Sequence, residues 1–402
     1  MRSVAAAALQ GAASILSFGG RGSSNRLTGP PDLWNRFHVA FSRPLTPDPS
    51  RTSSRAANIK DVARMAGVSV ATVSRVFNDS TLVREATRDR VRGVAKRLNY
   101  WPNGVARSLI TNRTHAIGVL LPDLFGEFFS EVIRGIDRSA RKLGLHLLLS
   151  SSHADTGELV AALRAMRGRI EGLIVVAPDV DAPGAIRATG IDFPYVLIDP
   201  GLGVEDCDTI SIANFEGART MVRHLLSLGH ARIATITGPA GNIDAQQRLE
   251  GYRSALRGRR GAWGPELEIP GDFSEPSGYA AAERLLALDP RPGAVFAAND
   301  YMAIGVMGAL SDAGLGVPRD IAVTGFDDIA MSRYLNPPLT TVRVDAYRLG
   351  ERAVQRLLQG QGRPGGRRRR REVLPTTLVI RRSCGSAGVH RSRSVIGPSR
   401  GR

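Results

Sequence analysis

The residues of this 402-residue chain that can do chemistry gather just beyond short apolar runs. Asp123, Asp199, Asn299-Asp300 and Asp327-Asp328 each follow a stretch that reads as a β-strand. Carboxylates at strand ends can ligate a metal or work as an acid/base pair, so a hydrolase is one reading of them. The rest of such a machine is missing from the sequence. Neither Gly-x-Ser-x-Gly nor the phosphate-loop pattern occurs, and the two cysteines, Cys207 and Cys384, have no Cys/His metal spacing around them. Two cysteines also make a disulfide framework unexpected and suit a reducing compartment. The other reading is a binding site for a small polar molecule.

Such residues need a scaffold. From Thr114 onward, the runs at 116–121, 145–149, 172–176, 195–198, 232–236, 294–297 and 321–324 are nearly continuous in apolar side chains, as strands covered on both faces are. Helical patterns lie between them at 128–143, 158–167, 215–228, 246–257, 277–288 and 302–313. Alternation of β and α predicts doubly wound parallel sheets. About 270 residues is large for one such sheet, so two lobes are expected. Ligands of doubly wound sheets bind past the carboxyl ends of the strands, where these acidic residues stand.

A different chemistry precedes this body. Ile59, Val62, Ala63 and Ala66 have the spacing of one apolar helix face, and Gly67 stands where glycine ends a helix without strain. Ser69 can cap a second helix that turns Val73, Val76 and Phe77 inward and leaves Val70, Ala71, Ser74, Arg75 and Asn78 outward. A third helix near 84–98 adds Val91, Val94, Ala95 and Leu98 to a small core. Helix, glycine turn, then a helix with small or polar residues outward is a helix-turn-helix, a DNA-reading unit. Val70 and Ala71 offer a base only apolar contact, and Arg75 can make a bidentate contact to guanine. Ser69, Thr72, Ser74 and Asn78 are short donors suited to phosphates. Charge agrees with this division: residues 58–112 carry ten Lys/Arg against four Asp/Glu, whereas 113–360 carry 25 against 30. A basic module beside a mildly acidic body fits a phosphate-binding head on a ligand-binding domain.

Over 58–109, and on to about Cys384, the chain resembles the lactose-repressor/galactose-repressor (LacI-type) family of bacterial transcription regulators. The resemblance rests on Ile59-Lys60-Asp61-Val62-Ala63, Ala66-Gly67-Val68-Ser69, Ala71-Thr72-Val73-Ser74-Arg75-Val76 and Asn103-Gly104-Val105-Ala106-Arg107-Ser108-Leu109. It implies a small all-α helix-turn-helix head at 58–102 and a hinge helix and linker at 103–112. A two-lobed α/β body at 113–384, like that of periplasmic sugar-binding proteins, would follow, with chain crossings near 213, 343 and 371. Asn103, Ala106, Arg107 and Leu109 are implied DNA contacts. So short a hinge helix is marginal alone, and the resemblance implies that it folds only against its dimer partner on the operator. There Leu109 would enter the minor groove, an apolar wedge that unstacks bases to give a bent, better-contacted duplex. In the body, Arg248 and Phe273 match effector-binding positions and join Asp123, Phe129, Asp199, Asn299, Asp300 and Asp327. Carboxylates, amide and guanidinium can each bridge two hydroxyls, and an aromatic face covers a sugar ring's C–H groups. That set suits a polyol rather than catalysis, with no cofactor and no metal. The chain departs from the family pattern at Phe125-Gly126-Glu127-Phe128-Phe129, where Glu127 replaces the proline that commonly precedes the two aromatics.

Composition governs the remaining segments. Residues 1–57 hold Pro30-Pro31, Pro44, Pro47 and Pro49 among Ser, Arg and Gly without an apolar period, the mark of a disordered extension or of a start assigned too early. The apolar residues behind Arg2 are too few and too broken for a secretion signal. Residues 385–402 read as a disordered basic tail without leucine heptads, so a homodimer is expected rather than a tetramer. The five arginines at 367–371 read as a solvated loop. No run approaches the roughly 18 apolar residues of a membrane span. The sequence thus predicts a cytoplasmic, non-enzymatic repressor that binds a palindromic operator as a homodimer and answers to a small sugar or related metabolite between its lobes. The rival is an exported sugar-binding receptor of a transporter, in which residues 58–109 would be idle.

Overall fold

The computed structural model describes residues 57–78, 81–101, 113–191, 193–200, 204, 207–259, 263–360 and 370–385. Asn103, Ala106, Arg107 and Leu109 lie outside the described residues, as do 1–56, 386–402 and most of the arginine run. Two compact units result, a head that ends by Pro102 and a body that follows it.

The head begins with α1 (Ile59–Ala66). Asn58 accepts the Lys60 and Asp61 amides while Asp61 accepts the Asn58 amide, a reciprocal cap that satisfies the helix's first donors. Gly67, at φ 62°, ends the helix in the left-handed conformation. Ser69 then accepts the Thr72 amide at 3.1 Å and opens α2 (Val70–Phe77). With α3 (Glu85–Arg97) these helices bury Val62, Ala63, Ala66, Val73, Val76, Val91, Val94 and Ala95. Leu98, at the C-cap of α3, is only partly covered, as are Phe77 and Tyr100, whose rings meet edge to face at 5.8 Å.

The body's first lobe alternates β1 (Ala116–Leu121), α4 (Glu127–Arg141), β2 (His146–Ser151), α5 (Thr156–Met166), β3 (Gly172–Val176), α6 (Ala182–Thr189), β4 (Tyr195–Ile198) and β5 (Asp208–Ile212). Its second lobe continues with α7 (Asn214–Ser227), β6 (Ile233–Thr237), α8 (Ile243–Leu256), β7 (Glu268–Pro270), α9 (Glu275–Leu286), β8 (Ala294–Ala297), α10 (Asp300–Asp312) and β9 (Ala322–Thr324). Then come β10 (Thr341–Arg343), α11 (Ala346–Gly360), β11 (Arg371–Leu374) and β12 (Thr377–Val379). Both main sheets are parallel, ordered β11-β5-β4-β3-β1-β2 and β7-β6-β8-β9, while β10 and β12 form an antiparallel pair. The chain therefore leaves the first lobe at Ala213, re-enters it after Arg343, and leaves again after β11.

Alternation along each strand explains the double layer. In β1, Ile117, Val119 and Leu121 pack with Val132 and Ile136 of α4 and Leu349 of α11; Leu120 joins Leu159 and Leu163 of α5 on the other face. Helices come closest where a glycine meets a neighbour's backbone. A Cβ on Gly305 of α10 would stand 2.0 Å from the Glu275 carbonyl oxygen of α9, and one on Gly135 of α4 would stand 2.0 Å from that of Tyr347 in α11. Backbone atoms cannot swing aside as a side-chain tip can. Gly305→Ala is therefore expected to cost at least about 1–3 kcal/mol, read as a lower urea midpoint at unchanged slope. An unaltered midpoint would mean that α9 and α10 can separate freely.

Candidate functional site

The head presents one face of α2. Ser69, Val70, Ala71, Arg75 and Asn78 are exposed and Thr72 and Ser74 half-buried, while Val73 and Val76 behind them are fully covered. Thr72 belongs to the cap as well, its hydroxyl 2.9 Å from that of Ser69, and Asn78 donates to Ser74 Oγ at 3.4 Å.

In the body, the strand ends and helix starts of both lobes enclose a cavity of ≈ 520 Å³. Asp123, Phe129, Asp199, Arg248, Phe273, Asn299 and Asp327 line it; Asp300 does not. Asp300 requires a correction. It is fully buried and accepts the Ser332 hydroxyl at 2.6 Å, the Thr341 hydroxyl at 2.5 Å and the Ile329 amide at 3.0 Å. It ties α10 to β10 and to the segment before it instead of facing the cavity. Asn299 and Asp300 are neighbours in sequence, but at a helix start successive side chains diverge by about 100°. Asn299 caps α10 through the Met302 amide and donates to the Phe273 carbonyl at 2.9 Å.

Arg248 is the hub. Buried on α8, its Nε donates to Asn214 Oδ1 at 2.9 Å and its Nη1 to the Ala298 carbonyl at 2.6 Å. The guanidinium carbon sits 3.9 Å from the centre of the Phe326 ring, and Nη1 lies 3.4 Å from Asp327 Oδ1. That approach is electrostatic rather than a hydrogen bond: Asp327 Oδ1 is buried and accepts none from the protein. Asn214 relays the network by donating to Asp244 Oδ1 at 2.9 Å.

Five non-glycine lining residues, His153, Ala154, Asp199, Phe273 and Asp327, have φ of 44°, 55°, 48°, 73° and 108°. A left-handed phenylalanine costs on the order of 1–3 kcal/mol and persists only where its surroundings fix it. Here Asn299 holds its carbonyl, and Gly238 leaves room for the ring: a Cβ there would fall 2.3 Å from it. Asp328, next along, is spoken for by Arg343 at 2.7 Å and Arg381 at 2.6 Å.

Seven carboxylates line the cavity among the described residues, against one guanidinium, Arg248, and one imidazole, His153. Burial raises Asp244 to about 6 against the opposing pull of Arg248, and raises Asp327 to about 6 likewise. Asp199 is pushed well up by burial and then by Asp244, and buried Asp300 reaches about 8, helped by Asp327. Asp272 goes the other way because the Ser274 hydroxyl donates to it. In the folded protein Asp244, Asp327 and Asp300 hold protons at pH values where the unfolded chain has released them. Their contribution to stability is thus present at low pH and lost as pH rises through about 6 and then about 8. Calorimetry of the ligand-free protein should show a melting temperature falling from pH 5 to pH 8.5, and Asp244→Asn should flatten the lower part of that slope. A rising melting temperature across the window would contradict these assignments.

Several lining residues escaped the sequence reading: Asp179, Asn242, Asp244, Asp272 and Tyr301. Asp179 and Asn242 could have been found by applying the strand-end rule to β3 and β6. They bond across the cleft at 2.8 Å, beside the Ile243 amide on the Pro178 carbonyl. The departure at Glu127 also has a structural role. Its carboxylate accepts the Ala330 amide at 2.6 Å and its own amide donates to Tyr301 Oη at 2.9 Å, so the residue in place of proline bridges the two lobes. No group of His, Cys, Asp and Glu among the described residues could hold a metal ion, and none of their helices is long and apolar enough to cross a membrane.

Comparison with known proteins supplies the context. Residues 58–103 match the lacI family of bacterial regulatory proteins, and 222–384 match a periplasmic binding protein-like domain. The ribose operon repressor of Escherichia coli (strain K12) is 39% identical over 325 residues, 80% of this chain and 98% of that protein. Among solved structures, the lac repressor dimer bound to operator and the anti-inducer ONPF is 34% identical with a TM-score of 0.73, covering 82% of this chain and 99% of that one. A LacI family transcriptional regulator from Enterococcus faecium with bound ribose is 29% identical with a TM-score of 0.59, covering 67% and 98%.

Proposed function

This chain belongs to the LacI family of bacterial transcription regulators, and on that premise we propose that it is a dimeric repressor whose hold on a palindromic operator is set by a small sugar in the body's cavity. One observation carries the effector half of this reading: a pocket between two parallel-sheet lobes is walled by carboxylates, among them an Asp327 oxygen that accepts no hydrogen bond from the protein. Hydroxyl groups are donors. The exposed face of α2 carries the other half, with Val70 and Ala71 toward base edges, Arg75 toward guanine, and Ser69, Thr72, Ser74 and Asn78 toward phosphates. A DNA-bound repressor works in the cytoplasm, and its ligand is bound rather than turned over.

Linkage joins the two sites. Ligand in the cavity favours one lobe arrangement, which sets the spacing of the two hinge segments and hence the entry of both Leu109 side chains into the minor groove. A coupling of roughly 1–3 kcal/mol is typical and changes operator occupancy several-fold or more. Leu109→Ala tests the DNA end of this scheme. It is expected to weaken specific operator binding while leaving salt-sensitive binding to random DNA nearly unchanged, as read by titration of labelled duplexes at fixed salt. Equal loss on both duplexes would remove the wedge.

A further inference from the structure

We infer that the ligand of this cavity is a non-anionic polyol, bearing neither phosphate nor carboxylate; this narrows the effector-site reading and rests on it. Three features of the wall converge. First, Asp179, Asp199, Asp244 and Asp327 all reach the cavity, and Asp327 Oδ1 is buried without a hydrogen-bond donor. A hydroxyl brings the missing proton, whereas a phosphate brings only acceptors and more negative charge.

Second, the one lining guanidinium among the described residues is already engaged. Arg248 faces Asn214, the Ala298 carbonyl and Asp327, with its guanidinium carbon over the Phe326 ring. His153, the other basic group, sits 2.6 Å from Glu158. Neither is left to balance an incoming anion.

Third, helix N-termini are the usual seats of anions, and three of the four that begin at the cavity are capped by side chains, while the fourth, α4, opens at Gly126 with its Glu127 amide given to Tyr301 Oη. α8, α9 and α10 all begin at the cavity, yet Asn242, Ser274 and Asn299 accept the first-turn amides of Ala245, Ser277 and Met302 at 3.0, 3.2 and 2.9 Å. Phe128, Phe129 and Phe273 complete the wall with apolar surface for the C–H faces of a ring.

Matched pairs test this: ribose with ribose 5-phosphate, glucose with glucose 6-phosphate, adenosine with its 5′-monophosphate. Calorimetry on the full-length protein reads binding of each compound, and a labelled operator duplex reads DNA binding separately. At least one parent compound is expected to bind, with its ester at least about 100-fold weaker, because an added anion among so many carboxylates is repelled strongly. An ester that equals or exceeds its parent overturns the inference. So does the absence of binding by every parent; if the operator is still bound, the regulator reading survives that result. Asp179→Asn keeps an acceptor for Asn242 and removes one charge, and is expected to narrow the parent-to-ester ratio at least about threefold. An unchanged ratio would assign the discrimination to shape and overturn its electrostatic basis.

Discussion

Arg248→Ala should abolish the effector response and also remove about 3–5 kcal/mol of stability, the usual consequence of leaving buried carboxylates without their cation. The family resemblance makes Arg248 a ligand contact. The structure makes it a structural hub as well, held by Asn214, the Ala298 carbonyl, Asp327 and the Phe326 ring. Removing it strands Asp199, Asp244 and Asp327 together. Differential scanning calorimetry should show a melting temperature lower by upwards of about 6 °C. Asp327→Asn makes the contrast. Burial already holds that carboxylate at about 6, so a neutral amide of the same shape should change stability by about 1 kcal/mol or less while still losing the response. If Arg248→Ala melts like the parent protein, the network around it is not what holds the cleft together.

Arg75→Ala should be the most damaging single change on the head. The residue is exposed on the outward face of α2, one turn past Ala71, while the helix's core contacts are made by Val73 and Val76. Loss of one bidentate contact to guanine is expected to cost the operator about 1–3 kcal/mol, roughly 5- to 150-fold. Random DNA should be affected much less, since there the residue supplies one charge among many. Parallel titrations at one salt concentration separate the cases: equal losses on both duplexes would make Arg75 a backbone contact without a role in sequence reading.

The parts of this protein that were legible in the sequence are those in which one side chain answers to one local rule. Ile59, Val62, Ala63 and Ala66 recur at helical spacing because one face must be buried, and that periodicity located α1 with its glycine stop. The long apolar runs of β1, β3, β4 and β8 were equally plain, since strands covered on both faces cannot alternate with polar residues. The apolar periods of α5, α8, α9 and α10 set in a residue or more after the helices themselves begin. Their first turns are announced by the polar caps Asp155, Asn242, Ser274 and Asn299 rather than by a sustained apolar period. α6 is hidden in the sequence because Pro183-Gly184 reads as a turn, although proline is compatible with a first helical turn and Asp181 caps this one. Strands such as β7 and β12 are three residues long and are defined by their partners, so no local pattern could reveal them.

At the site the limit was different. Strand-end carboxylates were visible, and resemblance added Arg248 and Phe273. What sequence could not supply was direction: which of Asn299 and Asp300 faces the cavity, which lobe Glu127 reaches, and which acceptors remain without a donor. These depend on contacts between residues as far apart as Glu127 and Ala330.

The central claim is that occupancy of the cavity and grip on the operator are two readings of one equilibrium. Fluorescence anisotropy of a labelled duplex from the chain's own upstream region, with the purified dimer and rising ribose or another parent sugar at fixed salt, tests it most directly. The account predicts that one such sugar shifts operator affinity several-fold or more, and that operator shifts sugar affinity by the same factor. A sugar that binds tightly yet leaves operator affinity unchanged would contradict it.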